Sequence, residues 1–170
     1  IILCFAAVFA PILTQYSPTK VTVSDAFLTP SLKHFAGTDD LGRDIFTRLL
    51  YGSRYSILLG VASTAGALII GIFIGSISGY FGGQVDNIIM RILDVIQSMP
   101  SMLFAIIISA VLGAGFVQTI VALSVASIPG MARMMRANIL SVRDMEYIEA
   151  AKSIKCSNAR IIMKHVIPNA

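Results

Sequence analysis

Two long stretches without a charged side chain constrain the fold of this sequence more than any other feature. Residues 57–79 and residues 95–132 contain no Asp, Glu, Lys or Arg. A helix over the first stretch would rise roughly 35 Å at about 1.5 Å per residue, which is enough to cross a hydrocarbon core of about 30 Å. The first stretch therefore predicts a membrane-spanning helix, and the second is too long for a single span.

The second stretch predicts two helices joined by a tight turn. Gly113-Ala114-Gly115 divides it, which places one span near residues 92–112 and another near residues 116–136. An apolar run over residues 1–13 predicts one more span, inside which the sequence begins. The expected fold is all-α: a polytopic membrane helical bundle of four spans, forming a single transmembrane domain over residues 1–170.

The composition agrees with a chain embedded in a bilayer. It is 56% apolar and only 13% charged, whereas soluble domains carry about 25% charged residues. The net charge of +4 arises at the C-terminal end, because residues 131–170 hold seven Lys or Arg and three acids. Such a bias marks the cytoplasmic flanks of membrane proteins rather than a nucleic-acid surface. We therefore expect residues 14–56 outside the membrane and residues 141–168 in the cytoplasm.

Small residues recur at every fourth position along the span at 57–79. A stripe of this kind lets another helix approach closely within a membrane, where no hydrophobic force drives association. The stripe consists of Ser63, Ala67, Gly71, Gly75 and Gly79, and Ala122, Ala126 and Gly130 repeat the pattern in the last span. Packing within the chain and contact with a second subunit both remain open.

Polar groups inside the predicted spans are few, which argues against several classes of function. No series of acids or histidines crosses them, and this counts against a proton-coupled carrier. Asp94 and Arg91, three residues apart, are expected to pair at the membrane edge, and Pro100 and Pro129 are expected to kink their helices. Neither Cys nor His occurs at ligand spacing, so no metal, cofactor or catalytic site is indicated.

Residues 37–44 are the first of two distinctive segments. They read Gly-Thr-Asp-Asp-Leu-Gly-Arg-Asp, in which Gly and Asp supply turn chemistry. The residues that follow, 45–54, predict an amphipathic helix that leads into the next span. An acidic cluster of this kind could be mistaken for a cation site, but it lacks His, Cys and a regular ligand spacing.

The second distinctive segment is the basic C-terminal end. Ser141, followed by an acid three residues later, predicts the start of a short helix over residues 143–154. A break near residues 155–158 and a second short helix follow, and Pro168 ends that helix. Two short helices beside a membrane have two uses: they lie among the lipid headgroups, or they dock into a groove on a soluble partner.

Taken together, these segments resemble the permease subunit of an ATP-binding-cassette importer of the dipeptide, oligopeptide and nickel type. The family has a cytoplasmic loop with Glu-Ala-Ala near its start and Leu-Pro at its end. Similar residues stand at the corresponding spacing here: Glu149, Ala150, Ala151, Ile167 and Pro168. The extracytoplasmic signature of the family resembles Gly37, Thr38, Asp39, Gly42, Arg43 and Asp44. A third motif, Gly-Tyr-Phe-Gly-Gly from Gly79, precedes Asp86, Arg91, Asp94 and Pro100.

Two positions of the C-terminal loop depart from the family pattern. Lys155 stands where the family has Gly, and His165 stands at an apolar position. A Gly would serve the bend between the short helices, because it adopts positive φ at little cost. Lys155 must either accept that conformation at a cost or shift the bend to residues 156–157.

The resemblance implies a function and a set of partners. The chain would be a permease subunit in the inner membrane of a bacterium or archaeon. With a second permease subunit it would form a pathway for peptides or nickel. It would not be an enzyme and would need no cofactor. Its C-terminal loop would couple to cytoplasmic ATP-binding subunits, and an extracytoplasmic solute-binding protein would deliver substrate. The family has further spans after Pro168, so a fragment is expected. The alternatives are a fragment of a secondary carrier or channel and a non-transporting membrane scaffold.

Overall fold

The computed structural model of this protein describes residues 2–170, and its regular structure is helical. Within that range, β-type pairing is limited to one isolated bridge between Thr38 and Asp44. The α-helices are α1 (Ile2–Val8), α2 (Ala10–Leu13), α3 (Ile45–Phe81), α4 (Gly83–Gln97), α5 (Ser101–Leu112), α6 (Phe116–Val142), α7 (Glu146–Ser153) and α8 (Asn158–Ile161). The 3-10 turns Val23–Asp25 and Ile167–Asn169 and the π-helical turn Ile162–Val166 complete the list. The predicted all-α fold is confirmed.

In the part of the chain that the structure describes, two helices are long and apolar enough to cross a membrane. They are α3, with 37 residues, and α6, with 27 residues. Helices α4 and α5 pass the same test only as a bent pair, the geometry of either one broken span or a re-entrant loop. Helices α1 and α2 have seven and four residues, so the span over residues 1–13 stays a prediction. By internal contacts the chain divides into two units, Ile1–Gly60 and Val61–Ala170.

Helix α3 begins well before the charge-free stretch at residue 57. It starts at Ile45, directly after Asp44. The Asp44 carboxylate accepts hydrogen bonds from the backbone N–H and the Oγ1 hydroxyl of Thr47, both at 2.7 Å. A side-chain oxygen in this position satisfies a backbone donor that the first turn of a helix would leave unpaired. The amphipathic segment after residue 44 therefore continues into the span as one helix.

A sharp bend separates α4 from α5, where the sequence predicts one kinked helix near residues 92–112. The two helices meet at 84°. Pro100 at the break has no N–H to donate, and it disfavours a helical conformation for the residue before it. Helix α4 also begins earlier than expected, at Gly83, where Gly82 and Gly83 have φ of 61° and 52°. Pro129, in contrast, lies inside α6, which continues through it.

The glycine stripe of α3 lies directly against α6. Cβ atoms added at Gly71, Gly75 and Gly79 would lie 2.5, 2.8 and 2.8 Å from the Cβ atoms of Met131, Met135 and Ile139, respectively. Since real side chains do not approach so closely, only glycine permits this contact. The residue numbers of these glycines and of their partners on α6 increase in the same direction, so the two helices run parallel. The close approach is thus made within the chain at these three positions.

We expect Gly75→Ala to destabilise the protein. The added methyl would overpack against Met135 by about 1–3 kcal/mol, which exceeds the roughly 0.5–1 kcal/mol that replacing a helical Gly usually gains. Gly130→Ala on α6 is the matched control, because nothing lies within 4 Å of its Cβ position. Thermal unfolding in detergent, followed by size-exclusion chromatography, measures both. A Gly75→Ala variant that melts at or above the wild-type temperature would contradict the close packing.

Candidate functional site

The C-terminal segment, residues 141–168, folds as two short helices at the end of α6. Helix α6 extends past Ser141, whose hydroxyl donates to the carbonyl of Asn138 at 2.7 Å. The helix start predicted at Ser141 is therefore wrong. Helix α7 begins later, and its first turn carries Glu146 and Glu149, whose negative charges suit the positive end of the helix dipole.

A buried apolar cluster holds the C-terminal segment on α6. Its members are Met135 and Ile139 from α6, Ile148 and Ala151 from α7, and Ile161 and Val166 beyond the turn. Four of the six side chains are fully shielded from solvent, and each such side chain contributes roughly 1.5–3 kcal/mol when it leaves water. Because α6, α7, α8 and the π-helical turn share one core, the segment packs as a continuation of α6.

Tyr80, near the end of α3, joins that helix to both short helices. Its hydroxyl donates to Oδ1 of Asn158 at 3.1 Å, next to the start of α8. The ammonium of Lys152 on α7 lies 5.8 Å from the centre of the Tyr80 ring, a distance at which a cation is attracted to an aromatic face. The position of the C-terminal segment is therefore set by α3 as well as by α6.

Lys155 makes the bend between α7 and α8 in a left-handed conformation, with φ of +56°. Its N–H donates to the carbonyl of Lys152 at 2.9 Å, and the N–H of Cys156 donates to the carbonyl of Ala151 at 3.1 Å. These two bonds form a Schellman motif, which usually has Gly at the left-handed position. Of the two outcomes open for this position, the structure has Lys155 accept the strained conformation.

The residues that resemble the family loop divide between the inside and the outside of the C-terminal segment. Glu149, Ala150 and Pro168 are exposed, whereas Ala151 is buried and Ile167 packs against the cluster. Two large apolar side chains accompany the exposed set: Ile154 is 76% exposed and Met163 is 51% exposed. The outward surface thus combines an acid, several lysines and apolar groups.

The segment at residues 37–44 is a tightly bonded loop in the N-terminal unit. Asp44 is 5% exposed, and its Oδ1 accepts a hydrogen bond from Nδ1 of His34 at 2.9 Å. Burial works to raise the pKa of Asp44, but the hydrogen bonds from Thr47 and His34 outweigh it and lower that pKa. The sequence offered no signal for His34, because its partner lies ten residues away across a turn.

Asp39 is hydrogen-bonded to several other residues of the loop and of the start of α3. It accepts hydrogen bonds from the backbone N–H and Nε of Arg43 at 2.9 and 2.7 Å and from the N–H of Leu41 at 3.0 Å, and it pairs with Arg48. Burial works to raise the pKa of Asp39, but these hydrogen bonds lower it from 3.8 to about 2. Gly42 has φ of +68°, and a side chain there would overlap the carbonyl of Thr22.

Asp94 does not pair with the residue predicted for it. Its Oδ1 lies 2.5 Å from Nη2 of Arg133 on α6, so the pair predicted with Arg91 is wrong. Helix α4 crosses α6 and brings residues far apart in the sequence together, whereas the prediction assumed a neighbour on the same helix. Over residues 2–170, which the structure describes, no three His, Cys, Asp or Glu side chains lie close enough to hold a metal ion.

Comparison with known proteins identifies the family. Residues 71–170, which include α4 to α8, match the family described as binding-protein-dependent transport system inner membrane component. The chain belongs to this family. The resemblance inferred from the sequence motifs is thereby confirmed, and the chain is a membrane protein.

Individual relatives of this family are similar over nearly the whole chain. A dipeptide transport system permease protein, DppC, of Alkalihalophilus pseudofirmus is 42% identical over 96% of this chain and 54% of its own length. An oligopeptide transport system permease protein, OppC, of Bacillus subtilis is 39% identical over 100% of this chain and 56% of its own length. The chain spans about half the length of the curated relatives it matches.

We expect Lys155→Gly to stabilise this family member by roughly 0.5–1 kcal/mol. A left-handed conformation costs an ordinary residue about 1–2 kcal/mol, and the greater freedom of an unfolded Gly offsets part of the gain. Thermal unfolding of the purified protein measures the change. Lys155→Ala is the matched control, because it removes the charge and keeps the strain. Equal stability of the two variants would mean that the charge of Lys155, and not its left-handed backbone, accounts for the change in stability.

We expect the loop at residues 37–44 to lose protection in acid. The pKa of Asp39 is lower in the folded protein than in the unfolded chain, so its contribution is complete above pH 3.8 and is lost as the pH falls toward about 2. Hydrogen exchange of the loop amides against pH measures this loss. Asp39→Asn should weaken protection above pH 3.8, where the wild-type carboxylate contributes fully, and should reduce the dependence of protection on pH. The exposed neighbour Asp40→Asn serves as the control, and the same profile for both variants would contradict the assignment.

Proposed function

We propose that this chain is a permease subunit of an ATP-binding-cassette importer and that a cytoplasmic ATP-binding subunit docks on its C-terminal segment. The observation that carries this proposal is the way in which the segment is attached. A shared apolar cluster fixes it to α6, a helix long enough to cross the membrane. A rigid element at the end of a span passes a displacement to that span, which a mobile arm could not do.

The outward surface of the C-terminal segment supports docking to a protein. Glu149 and Lys152 are exposed on α7, and the apolar side chains of Ile154 and Met163 in the same segment are exposed as well. A short helix that presents apolar anchors beside charges is typical of recognition by a groove on a soluble partner. The other use considered, a position among lipid headgroups, explains the basic residues but not the acid at position 149.

We propose small peptides as the substrate class. The support is that similar proteins are named as dipeptide and oligopeptide permeases. Nickel, which the motifs alone leave open, has no such support from those names. Family membership favours an importer over the secondary carrier, channel or scaffold considered as alternatives.

The remaining partners follow from the same proposal. A second permease subunit would complete the pathway, and an extracytoplasmic solute-binding protein would deliver substrate on the side of residues 14–56. The basic C-terminal end favours a cytoplasmic location for residues 141–168. Hydrolysis of ATP is assigned to the partner subunits, and no catalytic role is assigned to this chain.

We expect Glu149→Ala to weaken retention of the ATP-binding subunit by about tenfold, which corresponds to about 1.4 kcal/mol. Affinity purification of the full-length protein, with the retained ATP-binding subunit quantified, measures this effect. Glu146→Ala is the control, because both acids lie in the first turn of α7 and their loss affects the helix alike. Absence of any ATP-binding subunit from the wild-type preparation would sink the docking proposal. Equal retention by the two variants would sink only the role of Glu149.

A further inference from the structure

One carboxylate joins three helices in the C-terminal unit. Asp86, in the first turn of α4, is 9% exposed. Its Oδ1 accepts hydrogen bonds from Oγ of Ser78 on α3 and from Nε of Arg136 on α6, both at 2.5 Å. Its Oδ2 accepts a further bond from Nη2 of Arg136 at 2.5 Å. The start of α4 is thus bonded to α3 and α6 at one point.

The α6 side of this junction belongs to the attachment of the C-terminal segment. Arg136 lies between Met135 and Ile139, which are both members of the apolar cluster. Seven residues further on, Nη1 of Arg143 donates to the carbonyl of Gly79 at 3.0 Å, at the end of α3. A displacement of the C-terminal segment therefore reaches Arg136 through the packing of its own helix.

The α4 side of the junction leads to the bend between α4 and α5. Helix α4 ends at the break before Pro100, and α5 leaves the break at 84°. A cavity of about 220 Å³ lies at this break, lined in part by Gln97, Ser101, Ser127 and Pro129. A rotation of α4 at the break would change the walls of this cavity, because they come from α4, α5 and α6 alike.

We propose that Asp86 and Arg136 are positioning residues for transport: they make α4 follow α6, so that a displacement of the C-terminal segment reaches the break at Pro100. The fork between a guanidinium and a carboxylate suits this role, because two parallel hydrogen bonds fix orientation as well as distance. This inference rests on the proposed docking of an ATP-binding subunit, since that subunit supplies the displacement.

The chain contains its own control for this role. Asp94 and Arg133 form a second ion pair between the same two helices, but their side chains are 63% and 39% exposed, against 13% and 31% for Asp86 and Arg136. Exposed pairs with a single contact hold two helices weakly. If any ion pair between α4 and α6 could make α4 follow α6, loss of either pair would affect transport equally.

The test uses the full-length protein with its ATP-binding subunits in proteoliposomes. Electron paramagnetic resonance would measure the distance between spin labels on Ile92 of α4 and Leu112 of α5, in a background in which Cys4 and Cys156 are replaced by Ala. In the otherwise wild-type protein, the label distance should change when ATP is added with vanadate. With Asp86→Asn that change should be lost, and the amount of a labelled dipeptide transported per ATP hydrolysed should fall about tenfold, while the ATP-binding subunit is still retained.

Two further variants keep the result interpretable. Arg136→Lys preserves the charge and removes the fork, so it should fold and still lower transport per ATP; Asp94→Asn should change it less than about twofold. Wild-type transport and an unchanged response in Asp86→Asn would overturn this inference alone, as would equal losses in Asp86→Asn and Asp94→Asn. A wild-type protein that neither transports nor retains an ATP-binding subunit would overturn the proposed function, and this inference with it.

Discussion

The close contact between α3 and α6 is the constraint on which the rest of the C-terminal unit depends. Because glycines face α6, the two backbones approach closely enough for side chains at their ends to meet. Tyr80 then reaches α8, and Arg143 reaches the carbonyl of Gly79. A larger residue in the stripe would separate the two helices and weaken all of these contacts together.

The C-terminal segment shows how a membrane helix can present a firm surface to a soluble partner. Its core is built from both short helices and from α6, so neither short helix depends on its own propensity. Its bend is set by backbone hydrogen bonds, and Lys155 occupies the left-handed position in spite of its side chain. The energy of the buried cluster is large compared with the cost of one strained residue, and for this reason the bend stays at Lys155.

Patterns along the sequence predicted those features that depend on neighbouring residues. Absence of charge indicated the spanning helices, and the break near residues 155–158, followed by Pro168, indicated the paired short helices. The parts that sequence reasoning missed depend on distant partners: Asp94 meets Arg133 and His34 meets Asp44 only because the fold brings them together. The size of the bend at Pro100 was missed because a proline indicates that a helix is interrupted but does not give the angle at which the next helix leaves.

The contact between α3 and α6 is also periodic. Each glycine of the stripe faces a residue four positions after the previous one, so the interface repeats about every 6 Å at 1.5 Å per residue. Between two such positions, a Met or Ile side chain would meet a residue larger than glycine. A shift of α6 by one or two residues would bring Met135 towards Ser76 or Ile77 in place of Gly75, so the stripe fixes the axial register of α6 against α3.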